Sequence, residues 1–280
     1  MPFATRTLDL STRYFWRLAG RHVDVAGAES WLDSPTNDIE ARGDDWLDVL
    51  GEAGRVRVPN AGDGLLESLS ALDGPDFSSA DVDDRVRDFY EHTASWRMEV
   101  WSGWNALFAP GGELIARVWG RRIDQLALPV QPLSVSRGMA SSVRIVDDES
   151  GDRAGAAWLR TLRSDGSKVY SGFYRVSHLP GNDQPHVHVS FPLESGSVQV
   201  FLTPRADADG SFWLHSRSAT FGADGAYAVV RFGDRWYAAQ PLLRETFHVF
   251  TDEDGVLRTD HWLRLGRWQA LQLHYRLDRD

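Results

Sequence analysis

The sequence predicts an α+β protein: an antiparallel β-barrel or half-barrel, calycin-like, preceded by an irregular and partly helical N-terminal section that covers it. Three observations lead to this reading. From about residue 141 apolar and polar residues alternate with the two-residue period of strands. Asp-Gly pairs at 165–166, 209–210, 224–225 and 254–255 punctuate the same half, and this dipeptide suits the positive-φ positions of tight hairpin turns. Before residue 141 the period is helical or absent.

Residues 1–80 carry short apolar clusters, Tyr14-Phe15-Trp16, Trp31-Leu32, Trp46-Leu47 and Leu65-Leu66, separated by Gly, Pro, Asp and Asn. Three tryptophans argue against disorder, so this section is expected to wrap onto a core, with helical turns near 11–19, 43–50 and 64–71. A helix is expected over 80–108, capped by Ser79 or Asp81 with Asp83 and Asp84 at its positive end. Pro110-Gly111-Gly112 ends it, and a second amphipathic helix is expected over 113–126. The expected strands are 141–147, 156–163, 168–178, 185–191, 197–204, 211–217, 226–232, 235–239, 245–250, 257–265 and 269–277. Their short connections make them antiparallel neighbours. So many strands need closure or cover, because open edges invite aggregation. The whole reads as one domain over 1–280: a wrap at 1–80, a helical cap at 81–128 and a barrel at 135–280.

Two registers follow from the turns. A two-residue turn at Asp165-Gly166 places Trp158 opposite Phe173. A four-residue loop at Asp252–Gly255 pairs His248 with Thr259, puts His261 on their face, and sends Glu245 and Asp260 to the other face with Trp262.

Composition removes whole classes of function. The chain has no cysteine, which excludes disulfides, thiol catalysis and cysteine-ligated metals. Its net charge is −10, with 14 acids against 7 bases in residues 1–80, so nucleic acid is not expected as a partner. No apolar run approaches the ~20 residues that span a bilayer, and the N-terminus lacks a signal-peptide layout. A cytoplasmic location is therefore expected. Walker, Rossmann, nucleophile-elbow and His-Glu-x-x-His signatures are missing, so no cofactor is expected.

The sharpest local feature is Pro185-His186-Val187-His188-Val189. Residues two apart on a strand share a face, so His186 and His188 lie side by side. Such a pair resembles half of the cupin metal motif, although Glu194 falls one residue later than the cupin glutamate. His186 and His188 are therefore also an alternative metal pair, with His215, His248 or Glu194 as a third ligand. The alternation groups Tyr170, Tyr174, His186, His188, Trp213, His215 and Arg217 among polar and aromatic positions that suit a ligand cavity or a barrel exterior. The expected proton-transfer residues are His186, His188, Tyr174 and His215. The expected ligand contacts are Tyr170, Trp213, Arg217, Arg137 and His92.

Arg87-Asp88-Phe89-Tyr90-Glu91-His92-Thr93, Arg121–Pro129, Ser136-Arg137-Gly138-Met139 and the ending from Asp260-His261 through His274-Tyr275-Arg276-Leu277 resemble an uncharacterised bacterial family of similar length. That resemblance implies one continuous domain and no specific activity. It also suggests a patch of Tyr90, Glu91, His92 and Arg137 if the helix folds over the barrel mouth. The expected function is binding of a hydrophobic small molecule, with cofactor-independent isomerase, cyclase or hydro-lyase chemistry on a hydrophobic or polyketide-like substrate. The alternatives are a non-enzymatic carrier or sensor, and a metal-dependent enzyme built on His-x-His.

Overall fold

A computed structural model describes residues 15–37, 45–104, 139–163, 166, 168–193, 195–218 and 220–279. Within them ten antiparallel strands close into a barrel. They are β2 (Trp96–Trp104), β3 (Met139–Asp147), β4 (Arg153–Leu162), β5 (Lys168–Ser177), β6 (His186–Leu193), β7 (Gly196–Ala206), β8 (Phe212–His215), β11 (Leu243–Thr251), β12 (Leu257–Leu265) and β13 (Trp268–Arg279). Following hydrogen-bonded neighbours, the ring runs β7-β6-β5-β4-β3-β2-β13-β12-β11-β8 and returns to β7. All eleven strands expected after residue 140 form, and closure leaves the ring without an open edge.

One strand does two jobs. The far edge of β7 pairs with β9 (Gly225–Phe232) through Gly196–Phe201 and with β8 through Thr203–Ala206. The sheet forks there. The branch continues from β9 to β10 (Arg235–Ala239) and ends at β1 (Arg21–Val23). A three-residue terminal strand offers little to a foreign edge.

The apolar alternation faces inward. Val187, Val189 and Phe191 of β6 lie beside Leu202, Val200 and Val198 of β7, and Leu271, Leu273, Tyr275 and Leu277 of β13 share their core. Outside, β6 and β7 are covered by residues 31–37. Helix α1 (Asp45–Glu52) sets Trp46, fully buried, against Phe173, and its indole N–H donates to Ser171 Oγ at 2.8 Å. Burying such an aromatic contributes roughly 2–3 kcal/mol.

Helix α2 (Asp84–Glu91) is shorter than expected. Asp83 caps it, accepting the Arg85 N–H at 2.7 Å, and its buried Val86, Phe89 and Tyr90 join the barrel core. After a 3-10 turn at Thr93–Ser95 the chain enters β2, where a helix to residue 108 was expected. Trp96, Met98 and Val100 alternate and are buried, and β2 pairs with β13 along its length. Packing into the ring outweighs the imperfect helical stripe. The helix expected over 113–126, with Pro129 and Pro132, lies outside the described residues.

Both turn-derived registers shift by one residue. Trp158 pairs with Gly172 and Ala157 with Phe173: beside the turn Thr161 pairs with Lys168, two residues off the expected register, and the bulge between Arg160 and Thr161 restores one of the two. Trp158 therefore faces the core while Phe173 faces α1. The β11–β12 loop holds five residues: Asp252 N–H donates to Val256 O, Thr251 pairs with Leu257, and Gly255 takes a φ of 74°. His248 accordingly pairs with Asp260 and Phe247 with His261. Glu245 and His261 thus share the inner face, where the four-residue loop would have separated them.

Candidate functional site

The barrel encloses a cavity of about 160 Å³. Its wall is mostly aliphatic and aromatic, with Leu65, Phe89 and Tyr90 closing in from the N-terminal section. Into this wall β4, β5, β11, β12 and β13 place Arg160, Tyr170, Tyr174, Glu245, His261 and Tyr275. Gly172 lies between the two β5 tyrosines. A Cβ there would come within 3.0 Å of the Tyr170 hydroxyl and 3.1 Å of the Phe191 ring, so its missing side chain leaves space for both.

Arg160 is 9% exposed. Its guanidinium carbon stands 3.6 Å from the Trp158 ring centroid, 4.9 Å from that of Tyr170 and 5.4 Å from that of Tyr275. Aromatic faces offset part of the cost of holding a cation away from water. Its Nε is buried without a hydrogen-bond partner among the described residues. A buried donor left unpaired costs about 1–3 kcal/mol, so an acceptor supplied by a ligand would recover that cost.

The tyrosines act as neutral donors. The Tyr170 and Tyr174 hydroxyls hydrogen-bond each other. Burial pushes both phenols well up from their ordinary range, while Arg160 pulls the other way. Tyr275 is raised by burial as well, opposed by the Arg160 charge. Arg160 and Glu245 both act electrostatically on Tyr170, Tyr174 and Tyr275, and all five line the same cavity. Glu245 Oε2 lies 3.3 Å from His261 Nε2, both side chains less than one-sixth exposed, although the contact lacks hydrogen-bond alignment. The His261 ring stacks on Phe247 at 3.9 Å.

The residues singled out from sequence are distributed otherwise. Tyr170 and Tyr174 line the lumen. His186 and His188 are buried on the outer face of β6, His186 opposite Ser177 and His188 opposite Arg175 of β5. His188 Nδ1 accepts from Arg175 Nε at 3.0 Å, its Nε2 meets Gln199 Oε1 at 2.9 Å, and its ring stacks on Phe201 at 4.1 Å. Gln199 in turn donates to the Leu32 carbonyl at 2.7 Å and to Asn37 Oδ1 at 3.1 Å. Burial and the Arg175 charge hold the His188 pKa well below the ordinary histidine value, and both ring nitrogens are engaged by protein. The network ties the N-terminal wrap to the barrel. His186 Nδ1 is buried without a hydrogen-bond partner among the described residues. Among the described residues no group of three or more His, Asp or Glu side chains is placed to hold a metal ion; Glu194 lies outside them.

His215 and Trp213 point outward from β8. Burial and the charges of Arg217 and Arg205 lower the His215 pKa to about 4, and Trp213 stacks on His248 at 3.9 Å. Arg217 is exposed beyond β8. His92 ends α2, with Nδ1 3.2 Å from Asp88 Oδ1, and Glu91 accepts the Leu69 N–H at 2.7 Å. Arg137 lies outside the described residues. The lumen groups that sequence reasoning passed over do have a signal. Arg160 is the one charged residue in the inward series Ala156, Trp158, Arg160, Leu162, as is Glu245 in Leu243, Glu245, Phe247, Val249.

Comparison with known proteins adds little chemistry. No family model matches the chain, and no solved structure matches it. It is 26% identical over 215 residues to the "Uncharacterized membrane protein YndJ" of Bacillus subtilis (strain 168), a match covering 76% of this chain and 37% of that protein. The chain thus spans little more than a third of that relative's length, and the match agrees with membership of an uncharacterised bacterial family. No helix among the described residues is long and apolar enough to cross a membrane.

Proposed function

We propose that the barrel binds a small, largely apolar molecule bearing a carboxylate or similar anionic oxygen, seated in the lumen with that oxygen against Arg160. The observation that carries this reading is a buried arginine held among Trp158, Tyr170 and Tyr275 whose Nε has no hydrogen-bond partner among the described residues. Pockets that are apolar in bulk with a few directed polar groups are the usual form of small-molecule sites. A cavity of about 150 Å³ takes benzene, so the occupant has one or two rings' worth of volume, compatible with an aromatic or polyketide-like compound. Calorimetric titration with 1-naphthoate, 1-naphthalenemethanol and 1-naphthylmethylamine tests the charge preference. The carboxylate should bind tightest, and Arg160→Met should remove that advantage. Equal affinity for all three, or none, would sink the reading.

A second reading rests on Glu245 and His261. A carboxylate and an imidazole facing one lumen with Arg160 can move a proton without a cofactor. The base removes a proton from the carbon next to a carbonyl, the enolate oxygen is received by Arg160 and the phenols, and the proton returns at another carbon. The net change is an isomerisation. Exchange of solvent deuterium into bound aryl ketones, followed by NMR, separates the two readings: exchange lost in Glu245→Gln supports the enzyme, and binding without exchange supports a carrier or sensor.

A further inference from the structure

The turn between β12 and β13 gathers charge and apolar surface that the fold does not use. Arg244 and Arg264 stand directly opposite each other on β11 and β12. Like charges at facing positions repel, and the turn adds Arg267, whose guanidinium carbon lies 5.0 Å over the Trp268 ring. All three arginines are exposed, and among the described residues none forms an ion pair, although the chain carries ten more acids than bases. Beside them Leu242, Leu265 and Trp268 are 67%, 42% and 51% exposed. They are neighbours: Leu265 pairs with Trp268, and the Gly266 N–H donates to the Leu242 carbonyl at 2.7 Å.

We propose that this lip docks the barrel on an anionic lipid surface, the arginines meeting headgroup phosphates while Leu242, Leu265 and Trp268 enter the acyl boundary. Two features choose lipid over other polyanions. Exposed leucines gain nothing from a nucleic-acid backbone, yet they gain from leaving water for hydrocarbon. Trp beside Arg is also the pairing suited to the headgroup layer, where an indole has one wet and one apolar side and a guanidinium keeps its charge among phosphates. The facing arginines explain themselves on this view: an anion between them turns repulsion into two charge-assisted contacts. Leu243, adjacent to Leu242, lines the lumen, so docking would bring the cavity wall close to the bilayer.

Sedimentation of the full chain with vesicles provides the test. Phosphatidylcholine vesicles should bind little, and vesicles with 30 mol% phosphatidylglycerol should bind well, less so at high salt. A basic residue near such a surface is worth about fivefold in partitioning, so R244Q/R264Q/R267Q should lower binding by about a hundredfold. L242S/L265S/W268S, which leaves every charge in place, should lower it as well, with an unchanged circular dichroism spectrum for both variants. Absence of binding to the anionic vesicles overturns the proposal. So does binding that the leucine and tryptophan changes leave intact, or an equal affinity for single-stranded DNA that only the arginine changes remove; these mark the patch as a general polyanion site.

Discussion

Glu245 and His261 meet inside the barrel, Oε2 to Nε2 at 3.3 Å, although their cross-strand partners are Leu263 and Phe247 respectively. They are diagonal neighbours on one face. Their meeting depends on the five-residue loop at Asp252–Val256, whose Asp252 carboxylate accepts the Asp254 and Val256 N–H groups at 3.1 and 2.8 Å. One residue fewer in that loop would turn one of the pair out of the lumen.

Substituting Glu245 therefore has a signed consequence for binding. Glu245→Gln removes the lumen's carboxylate and with it the repulsion on an incoming anion, so 1-naphthoate should bind more tightly while the neutral alcohol is unchanged. Titration calorimetry at pH 7.5 reads both. Tighter binding of the alcohol to the same degree would show a packing effect instead.

Arg160→Met should separate binding from stability. Among the described residues the cation forms no ion pair with an acid, and replacing a buried charge with a packed apolar side chain is often neutral or stabilising. Naphthoate affinity should fall at least tenfold, while the thermal midpoint stays level or rises by a few degrees. A large fall in the midpoint would show that Arg160 is a structural element rather than a ligand contact.

Gln199 should matter more than its outer-face position suggests. It is fully buried and joins His188 to Leu32 and Asn37. Gln199→Ala orphans the His188 N–H, while the Leu32 carbonyl keeps Asn37 Nδ2 and Asn37 Oδ1 keeps Ser197 Oγ, a loss of about 1–3 kcal/mol in urea unfolding. Proteolysis should then cut first within the wrap at residues 31–37.

Stability should fall as the pH drops below neutrality, and His215 gives the sign. Its pKa is about 4 in the fold against about 6.5 in an unfolded chain. The unfolded state therefore takes up the proton first. The contribution is complete above pH 6.5 and declines as pH falls towards 4, by about 2 kcal/mol at pH 5 relative to pH 7.5. His186, His188 and His248 are shifted in the same direction, chiefly by burial. His215→Gln should flatten the pH dependence of urea unfolding by about that amount; an unchanged slope would refute the assignment.

Strand positions were legible in sequence because alternation and Asp-Gly turns are local signals. Their registers were not: the turn end of β4–β5 lies two residues off the expected pairing and the Arg160/Thr161 bulge restores only one, while a fifth loop residue at Val256 shifts β11–β12 by one. In a sheet, one residue exchanges the faces. That single step moved Glu245 next to His261 and turned Trp158 away from Phe173. Trp96–Trp104 misled for a different reason: its helical stripe is real, but nine residues of pairing with β13 outweigh it.

By itself the sequence determined a β-rich chain of eleven expected strands behind an irregular wrap, since backbone period and turn chemistry are properties of neighbouring residues. Only the tertiary structure decided which face looks inward. Closure put Val187 and Val189 inside and His186 and His188 on the opposite face, because burying the apolar series in the lumen removes it from water, while on the outer side His188 meets Arg175 and Gln199 as hydrogen-bond partners. The same closure gathered Arg160, Glu245, His261 and three tyrosines from five strands into one cavity, a convergence that follows from the order of strands around the ring.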